Sequence, residues 1–175
     1  PLFTQDLPEH DLLLVADGPG DFARYVAYNP WLPRPLAGSE GAKPVGWAGV
    51  VEQNGAAQLQ NRFRDLAGRE MSADDYAAWV AVAAIGEAAT RTKATDAATL
   101  RGYLLSDKAR IGGFLGRPLG FRNWDGQLRQ PIPIVTERAV VAQAPFEGFL
   151  HATNELDTLG PDRPETQCTA FGGAK

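Results

Sequence analysis

Ser72-Ala73-Asp74-Asp75-Tyr76-Ala77-Ala78-Trp79-Val80-Ala81-Val82-Ala83-Ala84-Ile85-Gly86-Glu87 is the stretch on which the fold turns. Ser72 followed three residues later by Asp75 resembles a capping box with aspartate in place of glutamate, and it opens a helix running to about Thr90. From Tyr76 to Ile85 that helix is apolar nearly all round. A helix with almost no polar face is expected to be sandwiched between layers, and its alanines permit neighbours to approach closely on several sides. The apolar run over 77–85 stops at Gly86 and Glu87, well short of the roughly 20 residues that a membrane helix needs.

Upstream of this helix, Ala56, Leu59, Phe63 and Leu66 recur on one face at helical spacing while Gln58, Gln60, Arg62 and Arg64 lie elsewhere. This predicts an amphipathic helix ended by Gly68. Residues 45–47 read as a brief strand. Residues 12–16 are a continuous apolar run between Asp11 and Asp17-Gly18-Pro19-Gly20, as expected of a fully buried central strand. Asp21 caps a short helix over 22–28, and the three prolines of Asn29-Pro30-Trp31-Leu32-Pro33-Arg34-Pro35 then make a rigid aromatic loop.

Downstream, Asp96 is a good N-cap for a helix that carries Leu100, Tyr103 and Leu104 inward. Leu119 and Phe121 alternate before Asn123-Trp124-Asp125-Gly126, a strong hairpin signal, and Leu128, Ile132 and Ile134 alternate after it. Pro131 and Pro133 are two apart, so their missing N–H groups lie along one edge, which predicts an edge strand or a bulge. A further strand is expected over 139–144, and 145–175 reads as irregular wrapping with few core candidates. Strands, helices and then an antiparallel hairpin define an α/β layered class.

Composition agrees with a globular chain: 44% of the 175 residues are hydrophobic and 22% charged, enough apolar mass for a real core. The net charge of −4 is spread along the chain, so no basic face is available for a phosphate backbone and nucleic acid is not an expected partner. There is no initiator methionine and no basic segment leading into an apolar one at the start, so Pro1 is expected to be a processed or truncated end. The single cysteine, Cys168, is either a free surface thiol or one whose partner lies in a segment outside this chain.

Signatures of catalysis are weak. Gly38-Ser39-Glu40-Gly41 is not a nucleophile elbow, and Asp17-Gly18-Pro19-Gly20 spells neither a dinucleotide fingerprint nor a phosphate loop. His10 and His151 are isolated, so no metal site is expected. No catalytic residue is assigned, and an α/β hydrolase-like enzyme is the weakest reading.

Three stretches together resemble the type I periplasmic binding proteins: 12–17 with Gly38-Ser39-Glu40-Gly41, the long helix from Ser72, and 112–135 with Gly116, Phe121 and the Asp125-Gly126 turn. A narrower resemblance lies in Asp21-Phe22-Ala23-Arg24-Tyr25-Val26, Trp31-Leu32-Pro33-Arg34-Pro35, Gly126-Gln127-Leu128-Arg129-Gln130-Pro131-Ile132-Pro133, Gly148-Phe149-Leu150-His151 and Asn154-Glu155-Leu156-Asp157-Thr158-Leu159-Gly160. These are similar to the branch associated with pyrroloquinoline-quinone-dependent alcohol dehydrogenase systems.

The resemblance implies parts of two Rossmann-like lobes with a C-terminal antiparallel hairpin, corresponding to the C-terminal half of the family. Residues 1–70 would be mainly second-lobe strands and helices, 71–110 helices packing toward the first lobe, 111–144 the hairpin and strand, and 145–175 an irregular tail. It further implies a periplasmic receptor of an ABC transporter, with a small-molecule ligand, a permease and the N-terminal lobe of the same protein as partners, and no inserted membrane segment. A ligand-sensing regulatory domain of the same fold is the alternative. No cofactor is required, and pyrroloquinoline quinone is a possible ligand.

Asp17, Asp21 and Phe22 after the first strand, and Ser39 with Glu40, are the expected ligand contacts. Glu40 matches the position that supplies a carboxylate to the ammonium of amino-acid ligands. For the planar tri-acid quinone, Arg34 and Lys43 would take carboxylates and Trp31 or Trp47 would stack, with Glu40 repulsive. Asp17 reads equally well as a turn or capping residue, Trp31 as loop packing and Arg34 as a solvated cation.

Overall fold

The computed structural model describes residues 4–17, 23–26, 29–38, 42–136 and 138–171. The chain mixes helix and strand. Near the N-terminus, β1 (Leu13–Val15) and β2 (Leu36–Gly38) form a parallel pair in the register Leu13↔Leu36, Leu14↔Ala37 and Val15↔Gly38, with α1 (Ala23–Val26) between them in sequence. Parallel strands need a crossover connection, which the intervening segment supplies. Gly38 has φ +114°, and a Cβ there would overlap the Val15 carbonyl, so only glycine lets β2 approach β1. The expectation of a buried central strand over 12–16 is corrected: Leu14 is 73% exposed and Leu12 is 52% exposed. β1 pairs with one neighbour, and the core takes no residue from it among those described.

The core forms around three helices. α2 (Ala56–Ala67) buries Ala56 and Leu59, half-buries Phe63, and ends at Gly68 in the left-handed region, as the spacing predicts. Leu66 departs from that expectation, since the last turn runs past the core and leaves it exposed. Gln60 departs in the other direction. It is buried, accepts the Trp47 indole N–H at 2.9 Å and donates to Glu70, so a polar residue has turned inward to satisfy a buried donor.

α3 (Ala73–Thr92) starts at the expected capping box: the Ser72 hydroxyl accepts from the Asp75 N–H at 3.3 Å, and the Asp75 carboxylate accepts from the Ser72 N–H at 2.9 Å. Arg69 grips the same carboxylate at 2.5 and 2.9 Å. The Arg69 bonds and those from Ser72 hold the Asp75 carboxyl well below the usual range. The helix is not sandwiched, however. Tyr76, Val80, Ala84 and Ala88 are its buried residues, one stripe at a spacing of four, while Ala78, Ala81, Val82 and Ile85 face outward. Apolar composition on both sides sets no layer by itself, and here a single side meets the core. α4 (Ala97–Leu104), capped by Asp96 as expected, packs against α3 and half-buries Leu100, Tyr103 and Leu104.

Aromatic stacking organises the centre. Trp47 lies parallel to Tyr76 with ring centroids 4.6 Å apart, Trp79 follows Tyr76, and Phe114 closes on Trp79. The Tyr76 hydroxyl donates to the Gly113 carbonyl at 2.6 Å. Burial pushes its phenol pKa up.

Two small antiparallel sheets complete the structure. The expected hairpin is β4 (Gly120–Phe121) with β5 (Leu128–Arg129), and Gly126 takes φ +73° in its turn. In the other sheet β6 (Ile132–Val135) lies between β3 (Lys43–Pro44) and β7 (Val140–Ala144). Of the two alternatives the prolines predict, the structure takes the second: β6 is the middle strand and not an edge, and its ladder has a register shift between Ile134 and Val135. The Pro133 carbonyl accepts from Val45 on the β3 side, so the missing Pro133 N–H faces that side too. There the partner strand is two residues long and little ladder is lost. The brief strand expected over 45–47 is not formed there: β3 covers Lys43–Pro44 and ends before Val45, whose N–H still reaches the Pro133 carbonyl.

Candidate functional site

β1 and β2 run in the same direction and finish as register partners, Val15 beside Gly38. Their carboxyl ends therefore lie side by side, and the segments that follow each in sequence begin at one edge. Asp17, two residues beyond β1, is half-buried. Asp21, Phe22, Ser39 and Glu40, the other residues expected in these two segments, lie outside the described residues.

The proline-rich loop packs on the first residues of the chain. The Trp31 N–H donates to the hydroxyl of Thr4 at 2.7 Å, and the Arg34 Nε donates to the His10 carbonyl at 2.6 Å. His10 donates from Nδ1 to the Pro8 carbonyl at 2.7 Å. The loop is thus fixed by its backbone and by one edge of one guanidinium. Trp31 remains 57% exposed, and an outer nitrogen of Arg34 lies 3.9 Å from Glu9, its one ion-pair partner among the described residues. An accessible indole and a tethered guanidinium three residues apart on one loop are groups that can, respectively, stack on a flat ring and hold a carboxylate.

Two of the expected residues belong to other elements. Lys43 belongs to β3 in the three-stranded sheet and is exposed there. Trp47 is corrected from stacking surface to core: it is 3% exposed, with its ring on Tyr76 and its N–H on Gln60. The run 45–47 carries no sign of that burial, because Trp47 goes inward to meet residues 13 and 29 positions away.

A second polar centre escaped the sequence reading altogether. Arg122 is fully buried, donating from Nε to an Asp157 carboxylate oxygen at 3.0 Å, from one terminal nitrogen to the Asp157 backbone carbonyl at 2.9 Å, and from the other to Gln127 and the Pro161 carbonyl at 3.0 Å each. Arg129 grips Asp157 at 2.7 and 2.9 Å and donates to the Phe121 carbonyl at 3.2 Å. Burial pushes the Asp157 carboxyl up, but the bonds and charges of Arg129 and Arg122 outweigh it and hold it below the ordinary value. Both guanidiniums lie over the ring of Trp124, at 5.3 and 5.2 Å from its centroid. The tail expected to wrap irregularly thus delivers a buried carboxylate to the hairpin, and Leu156 is buried beside it.

Next to this centre is a cleft of about 570 Å³. Its floor is Ala109, Leu119 and Leu156, all buried, with half-buried Phe121. Arg110, Arg117 and Arg129 reach it from three separate segments, against the acids Asp107 and Glu155. Arg117 pairs with Glu155.

No group of three or more metal-ligating side chains is present among the described residues, and no helix among them is long and apolar enough to cross a membrane. Comparison with family models, with curated proteins and with solved structures finds no match to this chain.

Proposed function

We propose that this chain is part of the solute-receiving component of an ABC transporter, acting in the periplasm. A small molecule is taken up at the carboxyl ends of β1 and β2, and closure of a second lobe over it creates the state that a permease reads. The observation that carries this reading is the Val15↔Gly38 register of a parallel pair. Open α/β sheets bind ligands outside the carboxyl ends of their strands, and the two segments that resemble the family's ligand loops both start there. β1, α1 and β2 follow one another as strand, helix and parallel strand, an order compatible with the units of a Rossmann-like lobe.

The outward side of α3 supports the second lobe. Val82 is 72% exposed and Ile85 56%, with exposed Ala78 and Ala81 in the turn before them. A helix apolar on both sides is suited to packing on both sides, and a first lobe of the same protein would cover the outer one. Binding needs no bond to be made or broken, because preferential contact with the closed arrangement shifts the population toward it.

Trp31 and Arg34 suit a flat, multiply carboxylated molecule such as pyrroloquinoline quinone, with Asp17, Asp21, Phe22, Ser39 and Lys43 as the further candidates around it, whereas Glu40 would repel it and would instead serve a ligand that carries an ammonium. The test is native mass spectrometry of the protein purified from periplasm, followed by calorimetric titration with the quinone, amino acids and small alcohol-derived acids. A co-purifying small molecule whose affinity falls at least tenfold in Arg34→Ala is expected. Failure of every compound in the panel to bind would end the proposal.

A further inference from the structure

We propose that the cleft between the loop leaving α4 and residues 153–156 is a separate binding site for a small organic carboxylate. It shares no lining residue with the carboxyl ends of β1 and β2, and it does not rest on the transport reading.

The chemistry comes from the way three arginines are prepared. Arg129 spends three of its five N–H groups, two on Asp157 and one on the Phe121 carbonyl, which fixes the guanidinium plane and leaves two donors. Its side chain is 13% exposed, so the fixed charge meets the cleft and little else. Arg110, which the Ile111–Leu119 bridge sets beside Gly120, the register partner of Arg129, is exposed and has no ion-pair partner among the described residues. Arg117 is balanced by Glu155, whose carboxylate turns the rim from open cation to ion pair on that side. The lining therefore holds three guanidiniums against two carboxylates, and Asp157 stays behind Arg129 instead of lining the cleft. A pre-oriented guanidinium and an unpaired one on either side of Gly120 are an arrangement that can hold one carboxylate between them at low entropic cost.

The floor selects against bare inorganic anions. Leu119, Leu156, Ala109 and Phe121 present an apolar surface that a phosphate ion cannot use and that the body of an organic acid can cover. The volume, about 570 Å³, lies within the range of small-molecule pockets, roughly 300 to 1,000 Å³. Asp107, the remaining acid on the lining, disfavours a second negative charge at that end, so a monocarboxylate with an aromatic or branched body fits best.

The experiment titrates the chain with benzoate at low salt and follows the arginine side-chain resonances by NMR together with the fluorescence of Trp124, which carries Arg129 over its ring. Saturable shifts at Arg110 and Arg129, weakening with added salt, are expected, with a dissociation constant on the order of 1 mM or below. Arg110→Ala, a change at an exposed position outside the core, should weaken benzoate at least tenfold while leaving the unfolding transition in place. Equal binding of inorganic phosphate, equal binding by Arg110→Ala, or an absence of saturation overturns the proposal. If Arg110→Ala fails to fold, Arg110→Lys takes its place. The lysine keeps the charge and loses the planar fork, so it should weaken benzoate at least severalfold, and an unchanged affinity overturns the proposal equally.

Discussion

Arg122 holds Asp157 twice, through its Nε to the carboxylate at 3.0 Å and through a terminal nitrogen to the backbone carbonyl of the same residue at 2.9 Å. Both are buried, and 35 residues separate them. One side chain thereby ties the turn of the β4–β5 hairpin to the C-terminal segment. Removing the charge of Asp157 takes away the carboxylate that the two guanidiniums share in a desolvated place and leaves Arg122 with the longer contact to Asp125 at 3.4 Å. Asp157→Asn is expected to cost about 3 kcal/mol of stability at neutral pH, measured by urea unfolding. A loss no larger than that of an exposed surface substitution would show that the pair is not holding the tail.

Acid should erase that difference. The folded Asp157 carboxyl titrates below its unfolded value of about 3.9, so its contribution is complete above that pH and disappears as pH falls through the lower folded value. The gap between wild type and Asp157→Asn is expected to be constant from pH 7 to about 5 and to narrow below about 4. Unfolding curves collected across that range check it, and a gap that widens in acid has the wrong sign.

Tyr76 combines stacking with one hydrogen bond, from its hydroxyl to Gly113. Tyr76→Phe keeps the ring and strands a buried carbonyl, so a loss of about 1–2 kcal/mol is expected, with the Trp47 and Trp79 fluorescence little changed. Tyr76→Ala, which also opens a cavity beneath Trp47, should cost about 3–5 kcal/mol.

Gly38→Ala should separate β2 from β1 without unfolding the helical core, since its Cβ would overlap the Val15 backbone and the core takes nothing from this pair among the described residues. Hydrogen exchange of the Leu13 amide, which donates to the Pro35 carbonyl at 3.0 Å, is the readout. Faster exchange there with unchanged protection in α3 is expected. Loss of protection in both places would mean that the pair and the core are one cooperative unit.

On α3, Val82→Glu changes a side chain that is 72% exposed. The isolated chain should keep its stability within about 0.5 kcal/mol. If a second lobe covers this side, the same substitution should weaken its docking by at least tenfold, read by analytical ultracentrifugation of the two pieces mixed. Unaltered docking would place the lobe elsewhere.

Local chemistry was legible where neighbours in sequence decide the outcome. The Ser72–Asp75 box, the Asp96 cap, the Gly68 stop and the Asn123–Gly126 turn all formed as the residues dictate, because each closes its hydrogen bonds within a few positions. The misreadings share the opposite property. Whether Leu12–Ala16 is central, whether Leu66 faces in and whether α3 is covered on two sides depend on which distant element arrives. Pattern alone fixes a face and not its partner.

The sequence by itself determined where the three core helices and the hairpin turn stand and that the chain has apolar mass enough for a core, whereas the need for glycine at Gly38 follows from the approach of β2 to Val15. Tertiary structure alone decided that Trp47 is core and not surface, that Gln60 turns inward to serve it, and that Arg122, Arg129 and Asp157 meet under Trp124. Helix caps and turns are local equilibria between a residue and its nearest backbone. Burying a charge is tolerable only when an opposite charge is delivered from elsewhere in the chain, and no window of sequence contains both.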